Sequence, residues 1–413
     1  MVDFIGETSP IGMVVMAGLS TGLSLLGLYG MTVFFGLQRK SLDEAPEVNP
    51  LEDMPESLPR VSVIIPAYNE AINIQPCVTA VLKSELPNVD DLQVLVADDG
   101  STDATQSLAQ ELADQDGRVE VIAVPSRPQD AVWLGKNWAC TQSVSQATGD
   151  YLLFIDADVR LTPKAIATAV VRAEKEGVDL LSLAPNIHCG CLAEWLVQPI
   201  MMSLLSVGFN FAEVNDVTQP DQAFAAGPFM LFRRTTYEAI GGHQAVADNL
   251  VEDVALAQLI KQSGYRLYYA FGLDLTQVRM YQNWGGLWEG WTKNYYLGAE
   301  RNLYSTLYSA LSMVVVFTAP WIGLISALIV LISTRGSILG IIPLVLGMVT
   351  VTRQYFYRRE TAHRFHQPLR YTWLGGLSGL LVAAIAVGSI IKTETGWGWT
   401  WRGRPLTIPA EKS

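Results

Sequence analysis

Residues 11–36, "IGMVVMAGLSTGLSLLGLYGMTVFFG", hold no charged side chain. The run exceeds the roughly 20 residues a helix needs to cross a bilayer. Inside lipid a single segment satisfies its own backbone polar groups only as a helix. No basic stretch precedes it, which argues against a cleaved signal peptide. Three further apolar stretches follow at approximately 308–332, 337–352 and 371–391. The composition agrees, because half of the residues are hydrophobic and only 16% are charged, against a usual share of about a quarter. Arg39 and Lys40 follow the first stretch and Asp3 and Glu7 precede it. The loop 353–370 carries Arg353, Arg358, Arg359, Arg364 and Arg370. The positive-inside rule therefore places 39–305 and 353–370 in the cytoplasm. The 337–352 stretch is short enough to be re-entrant, which leaves the side of the tail open.

A formal charge of −12 argues against a nucleic-acid partner, which wants a basic face. A nucleotide ligand stays possible. Four scattered cysteines, at 77, 140, 189 and 191, form no disulfide framework. "HCGC" (188–191) resembles a metal fragment but lacks a second ligand pair nearby. Residues 1–40 thus read as an N-terminal membrane helix and 41–59, acidic and rich in proline, as a linker. A domain over 60–305 follows, then membrane helices over 306–392 and a tail over 393–413. Within the domain, strand-like runs "RVSVIIPA", "LQVLVADD", "VEVIAV", "YLLFID" and "VDLLSLAP" alternate with helical patterns. That alternation predicts an α/β fold with a largely parallel sheet covered on both faces. The segment 192–214 is apolar but interrupted by Glu194, Gln198 and Pro199. It reads as a helix lying in the membrane plane, with a fifth span as the alternative.

Parallel sheets bind ligands outside the carboxyl ends of their strands, and there the acids gather. "YLLFIDAD" ends in Asp156 and Asp158, whose side chains two apart share a face. Like charges so placed repel unless a cation separates them. An Asp-x-Asp pair offers oxygen ligands to Mg²⁺ or Mn²⁺ carrying a diphosphate; solvated acids at a strand end are the plain alternative. "VADDGSTDAT" (96–105) brings Asp98 and Asp99 to a second strand exit, turns at Gly100 and enters a capped helix. In "VEDVALAQLIKQ", Glu252 and Asp253 open a helix, where the dipole favours acids and where a carboxylate can also serve as general base.

The ordered motifs "IIPAYNE" (64–70), "ADDGSTDAT", "DAD", "AGPFMLFRRTTYEAIGGH" (226–243) and "VED" resemble family 2 glycosyltransferases of the GT-A fold. The resemblance runs from about residue 60 to 300. It implies an inverting, metal-dependent transfer from a nucleotide-activated sugar. By the motif match, Glu70 and Asp98 contact the nucleoside with Asp99 close by. Asp156 and Asp158 hold the metal and diphosphate, and Asp253 is the catalytic base. Lys136 in "WLGKNWA" matches the family's Gly-Lys segment near the donor, a solvated lysine at a helix start being the alternative. His243 in "GGH" follows the pattern either as a structural histidine or as a catalytic aid.

"VRMYQNWGGLWEGWTKNYY" (278–296) departs from the Gln-x-x-Arg-Trp motif of processive synthases, with Leu287 and Gly290 where Gln and Arg are expected. It is similar to the membrane glycosyltransferases of hopanoid and carotenoid pathways, including the carotenoid 2'-O-glycosyltransferases. The tail "WTWRGRPL" (399–406) fits the same branch. Trp284, Trp288 and Trp291 read as an aromatic belt at the membrane interface, or as the wall of a groove for a long apolar acceptor. Arg279 and Lys293 are placed to meet donor phosphates. The implied partners are a nucleotide-sugar donor, a lipophilic acceptor such as a carotenoid or other isoprenoid, and membrane lipid at the basic loop. The alternative within the family is an enzyme building a polyprenyl-phosphate sugar or a polysaccharide.

Overall fold

The computed structural model describes residues 9–128 and 132–406. They fall into two compact units. One is helical, within Met1–Lys40, Cys189–Gly208 and Asn283–Trp401; the other is α/β, within Ser41–His188, Phe209–Gln282 and Arg402–Ser413.

The α/β unit has strands β1 (Val61–Ala67), β2 (Leu92–Asp98), β3 (Val119–Ala123), β4 (Tyr151–Phe154), β5 (Val159–Leu161), β6 (Leu180–Ala184), β7 (Asn186–Ile187), β8 (Met230–Arg233), β9 (Leu267–Phe271) and β10 (Thr276–Val278). Seven of them form one sheet in the order β3-β2-β1-β4-β8-β6-β9, and β5-β10-β7 form a second. Strands β3, β2, β1 and β4 run parallel, and β9 is parallel to β6. Only β8 breaks the pattern, antiparallel to both of its neighbours. All of β2 and β4, and all of β1 except Pro66, are buried. Burial on both faces explains why these strands are mostly apolar rather than alternating, apart from Ser62 and Gln93.

Register decides what the strand exits carry. Ala67 lies opposite Asp98, and Ile64 lies opposite Phe154. The segments 68–70, 98–100 and 155–158 therefore leave adjacent strands at one end of the sheet. The other end is pinned by a buried polar knot. Ser62 Oγ donates to Gln93 Oε1 at 2.7 Å and accepts from the amides of Thr148 and Gly149 at 3.1 and 2.9 Å. A side chain at Gly149 would bring its Cβ within 2.5 Å of the Ser62 nitrogen, so only glycine lets β4 start this close to β1.

In the helical unit, the helices Pro10–Asp43, Leu303–Ser333, Ile338–Arg364 and Thr372–Thr395 are long and apolar enough to cross a membrane. The 337–352 stretch, short enough in sequence to be re-entrant, runs from the N-cap Ser337 into a continuous helix of 27 residues, Ile338–Arg364. Leu303–Ser333 contains a π turn, Val314–Thr318. Such a turn frees backbone carbonyls, and Gln354 meets them: its Nε2 donates to the carbonyls of Val316 and Phe317 at 3.2 and 3.1 Å. Its Oε1 accepts from Trp321 Nε1 at 2.7 Å. The helix Leu192–Gly208 is largely buried. Its polar groups bond within the unit. Glu194 accepts from the amides of Gly190 and Cys191 at 2.8 and 3.1 Å, and Gln198 accepts from Trp291 Nε1 at 2.7 Å.

Candidate active site

Each side chain at the sheet's carboxyl end is set by local backbone chemistry. In "YNE", Asn69 takes a left-handed φ of 54°, which asparagine tolerates. Its Oδ1 accepts from the Thr102 amide at 2.8 Å, and its own amide donates to Ser101 Oγ at 3.0 Å. The β1 and β2 exits are thereby laced together. Glu70 is buried at 7% exposure and accepts from Asn73 Nδ2 at 2.9 Å. Asp98 is buried at 3%; its Oδ2 accepts from the Ser101 amide at 3.2 Å, while Oδ1 is buried with no hydrogen-bond partner. Asp99 Oδ2 receives two guanidinium groups, Arg127 Nη2 at 2.7 Å and Arg404 Nη1 at 2.5 Å.

The β4 exit holds the paired aspartates. Asp156 Oδ1 lies 2.6 Å from Lys136 Nζ, and the same ammonium lies 2.6 Å from Glu252 Oε1. Lys136 is thus a bridge between two acidic segments rather than a solvated side chain. Burial pulls its pKa down, but Asp156 and Glu252 outweigh that and hold it well above its ordinary value. Asp158 Oδ1 is buried and has no hydrogen-bond partner. Burial first, then the charges of Asp156 and Glu70, push its carboxyl up to about 8, against the opposing pull of Arg402 and Lys136. An unbonded buried carboxylate oxygen held out of its charged form is what a missing cation would correct.

Lys136 stands in the first turn of the helix Gly135–Val144, and Asn137 beside it is the anchor. Asn137 is 1% exposed, and its Nδ2 donates to the carbonyls of Val246, Ala247 and Asn249 at 2.7, 3.2 and 3.0 Å. That fixes the loop leading into Glu252–Gln262, the helix that opens with the acid pair. Asp253 accepts from the amides of Gly227 and Val254 at 3.0 and 2.8 Å. Burial and the neighbouring Glu252 push its pKa up to about 6, opposed by Lys136 and the two amides. His243 is buried, 2.7 Å from Tyr237 Oη through Nδ1. Burial and the charge of Lys136 hold its pKa down at about 3, so it is a neutral, structural imidazole.

The α/β unit therefore contains Glu70, Asp98, Asp99, Lys136, Asp156, Asp158, Asp253 and also Arg279. Trp288, Trp291 and Lys293 belong to the helical unit, where Lys293 Nζ lies 4.5 Å over the Trp401 ring. Among the described residues, no group of three or more His, Cys, Asp or Glu side chains is arranged to hold an ion, and none of the four cysteines is in a disulfide. Sequence reasoning missed Arg127, Asn137, Arg402 and Arg404. Asn137 stood beside Lys136 in "WLGKNWA", and the two arginines stood in "WTWRGRPL" merely as a mark of kinship; Arg127 lay in no quoted motif.

Sheet order, acidic strand exits and flanking helices define a GT-A domain. Residues 62–241 match the family model described as Glycosyl transferase family 2. Over 243 residues it is 31% identical to a 4,4'-diaponeurosporenoate glycosyltransferase of Staphylococcus aureus, a match covering 58% of this chain and 61% of the relative. A protein of the same name from another strain is 27% identical over 356 residues, 85% of this chain and 89% of the relative. The solved mannosyltransferase PcManGT from Pyrobaculum calidifontis, in complex with GDP-Man and Mn²⁺, shares the fold. Its TM-score is 0.52 at 18% identity, covering 92% of this chain and 99% of that one.

Proposed function

We propose that the protein is a membrane-bound inverting glycosyltransferase that moves one sugar from a nucleotide-sugar donor to a lipophilic acceptor, with its catalytic domain in the cytoplasm. The observation that carries this reading is the Lys136 ammonium, 2.6 Å from both Asp156 Oδ1 and Glu252 Oε1, which joins the paired-aspartate strand exit to the helix that opens with Asp253, a carboxylate whose pKa of about 6 suits a base. Asp98 and Glu70 bind the nucleoside, with Asp99 beside them. Lys136 and Asp156 stand at the diphosphate. The oxygen-only pair Asp156 and Asp158 suits Mg²⁺ or Mn²⁺, whose remaining ligands come from donor phosphates and water. When bound, such an ion supplies positive charge to the departing diphosphate. Asp253 takes the acceptor hydroxyl proton; the oxygen bonds to the anomeric carbon from the face opposite the diphosphate, and the anomeric carbon–oxygen electron pair leaves with the phosphate.

The names of the relatives support a carotenoid acceptor, and the four apolar helices suit a substrate that resides in lipid. By this reading Trp288 and Trp291 meet the acceptor within the helical unit, and Arg279 serves the donor phosphates within the α/β unit. One distinction follows from those names. A hydroxyl acceptor needs a base, whereas a carboxylate such as 4,4'-diaponeurosporenoate is already ionised at neutral pH. With a hydroxyl acceptor, Asp253→Asn should cut transfer by about 100-fold or more and leave nucleotide binding near normal. Transfer retained with an alcohol would remove Asp253 as base; transfer retained only with a carboxylate would identify the acceptor group. In the host, deleting the protein and comparing extracted lipids and pigments by mass spectrometry should show one glycoside lost and its free acceptor accumulating.

A further inference from the structure

The segment Arg402–Arg404 belongs to the α/β unit, although some 130 residues on from β9 in the chain. Arg402 and Gly403 both take left-handed φ values, 49° and 78°, a tight turn that sends the two arginines into the acidic crevice. The Arg402 guanidinium pairs with Glu70 and donates to the Tyr68 carbonyl at 2.8 Å. Its charge also reaches Asp158, where it opposes the effect of burial. Arg404 donates to Asp99 Oδ2 at 2.5 Å and to the Asp99 carbonyl at 2.8 Å. Its guanidinium carbon lies 3.4 Å from the centre of the Tyr68 ring.

We infer that Arg402 and Arg404 are donor-binding residues, carried into the nucleotide crevice by this C-terminal turn. The inference rests on the donor site proposed above. Electrostatics supplies the reason. Glu70, Asp98, Asp99, Asp156 and Asp158 line the three strand exits, and a nucleoside diphosphate is itself an anion. Lys136 is committed to Asp156 and Glu252, and Arg127 to Asp99. Without Arg402 and Arg404 the crevice keeps an excess of carboxylate and repels the donor. Both arginines remain about a third exposed, 28% and 35%, so their guanidinium groups can also reach phosphate or ribose oxygens. Arg404, flat on Tyr68, also presents a planar cationic face on which a base can stack.

The test is calorimetric titration of the full-length protein in detergent with UDP and, separately, GDP, each with Mn²⁺. The double variant Arg402→Ala/Arg404→Ala should bind the preferred nucleotide at least about tenfold more weakly, and Arg402→Lys/Arg404→Lys should recover only part of that loss. Unchanged thermal unfolding of the lysine variant separates this effect from misfolding. Equal binding by wild type and the alanine variant would overturn the inference and spare the donor site. Tighter binding by the alanine variant would also overturn it, making the turn a plug that the donor displaces. A wild type that binds neither nucleotide would overturn the donor site itself, and the inference with it.

Discussion

At the scale of single residues, the site is governed by where one ammonium sits. Lys136 joins Asp156 to Glu252 and lowers the pKa of Asp253 against burial. Because the folded Asp253 is raised to about 6, its basic form is full above that pH and is lost as pH falls through it. For an alcohol acceptor, kcat/KM should therefore fall tenfold per pH unit on the acid side, with a limb near 6. Lys136→Met removes the opposing charge, so the limb should move to higher pH; a profile that stays in place would show that Asp253 does not set it. His243, already neutral, should contribute no limb between pH 5 and 8. The acids were legible in the sequence because strand exits and helix starts are local features. Lys136 was legible as a charge but not as a bridge, since both its partners arrive through tertiary packing.

At the scale of elements, a few buried polar side chains hold segments that hydrophobic pattern alone leaves loose. Gln354 is the clearest case, capping two carbonyls of the π turn and taking the Trp321 indole N–H. Gln354→Leu leaves all three unpaired, which should cost roughly 1–3 kcal/mol for the buried groups together. Thermal unfolding in detergent would read it, and an unchanged midpoint would mean that the turn rearranges. Asn137, with its three carbonyl acceptors, does the same for the loop before Asp253. The sequence revealed the buried parallel strands through their continuous apolar runs. It concealed β8 and β5, because runs of four and three residues carry no readable period. It likewise extended the 337–352 stretch too little, since the arginine-rich turns beyond it continue the helix without its apolar character.

At the scale of the whole molecule, the described residues hold four helices suited to lipid beside a domain whose residues 62–241 match the Glycosyl transferase family 2 model. Their number and places were plain from hydropathy, as was the parallel sheet from the alternation of strands and helices. The destination of "WRGR" was not, because nothing local to residues 402–404 says which distant carboxylates they meet. Protein cut after residue 305 should lose glycosylation of a membrane-resident acceptor. It should also bind nucleotide at least about tenfold more weakly than the full chain, because Arg402 and Arg404 go with the helices. Full-strength nucleotide binding by the shortened protein would count against both arginines. The turn at Arg402–Gly403 has a further bearing on biosynthesis. A ribosome making this protein delivers Glu70 and Asp99 hundreds of codons before the arginines that neutralise them, with three hydrophobic helices emerging in between. If the two arginines bind the donor as inferred above, a nascent chain would hold it at least about tenfold more weakly until insertion was nearly finished.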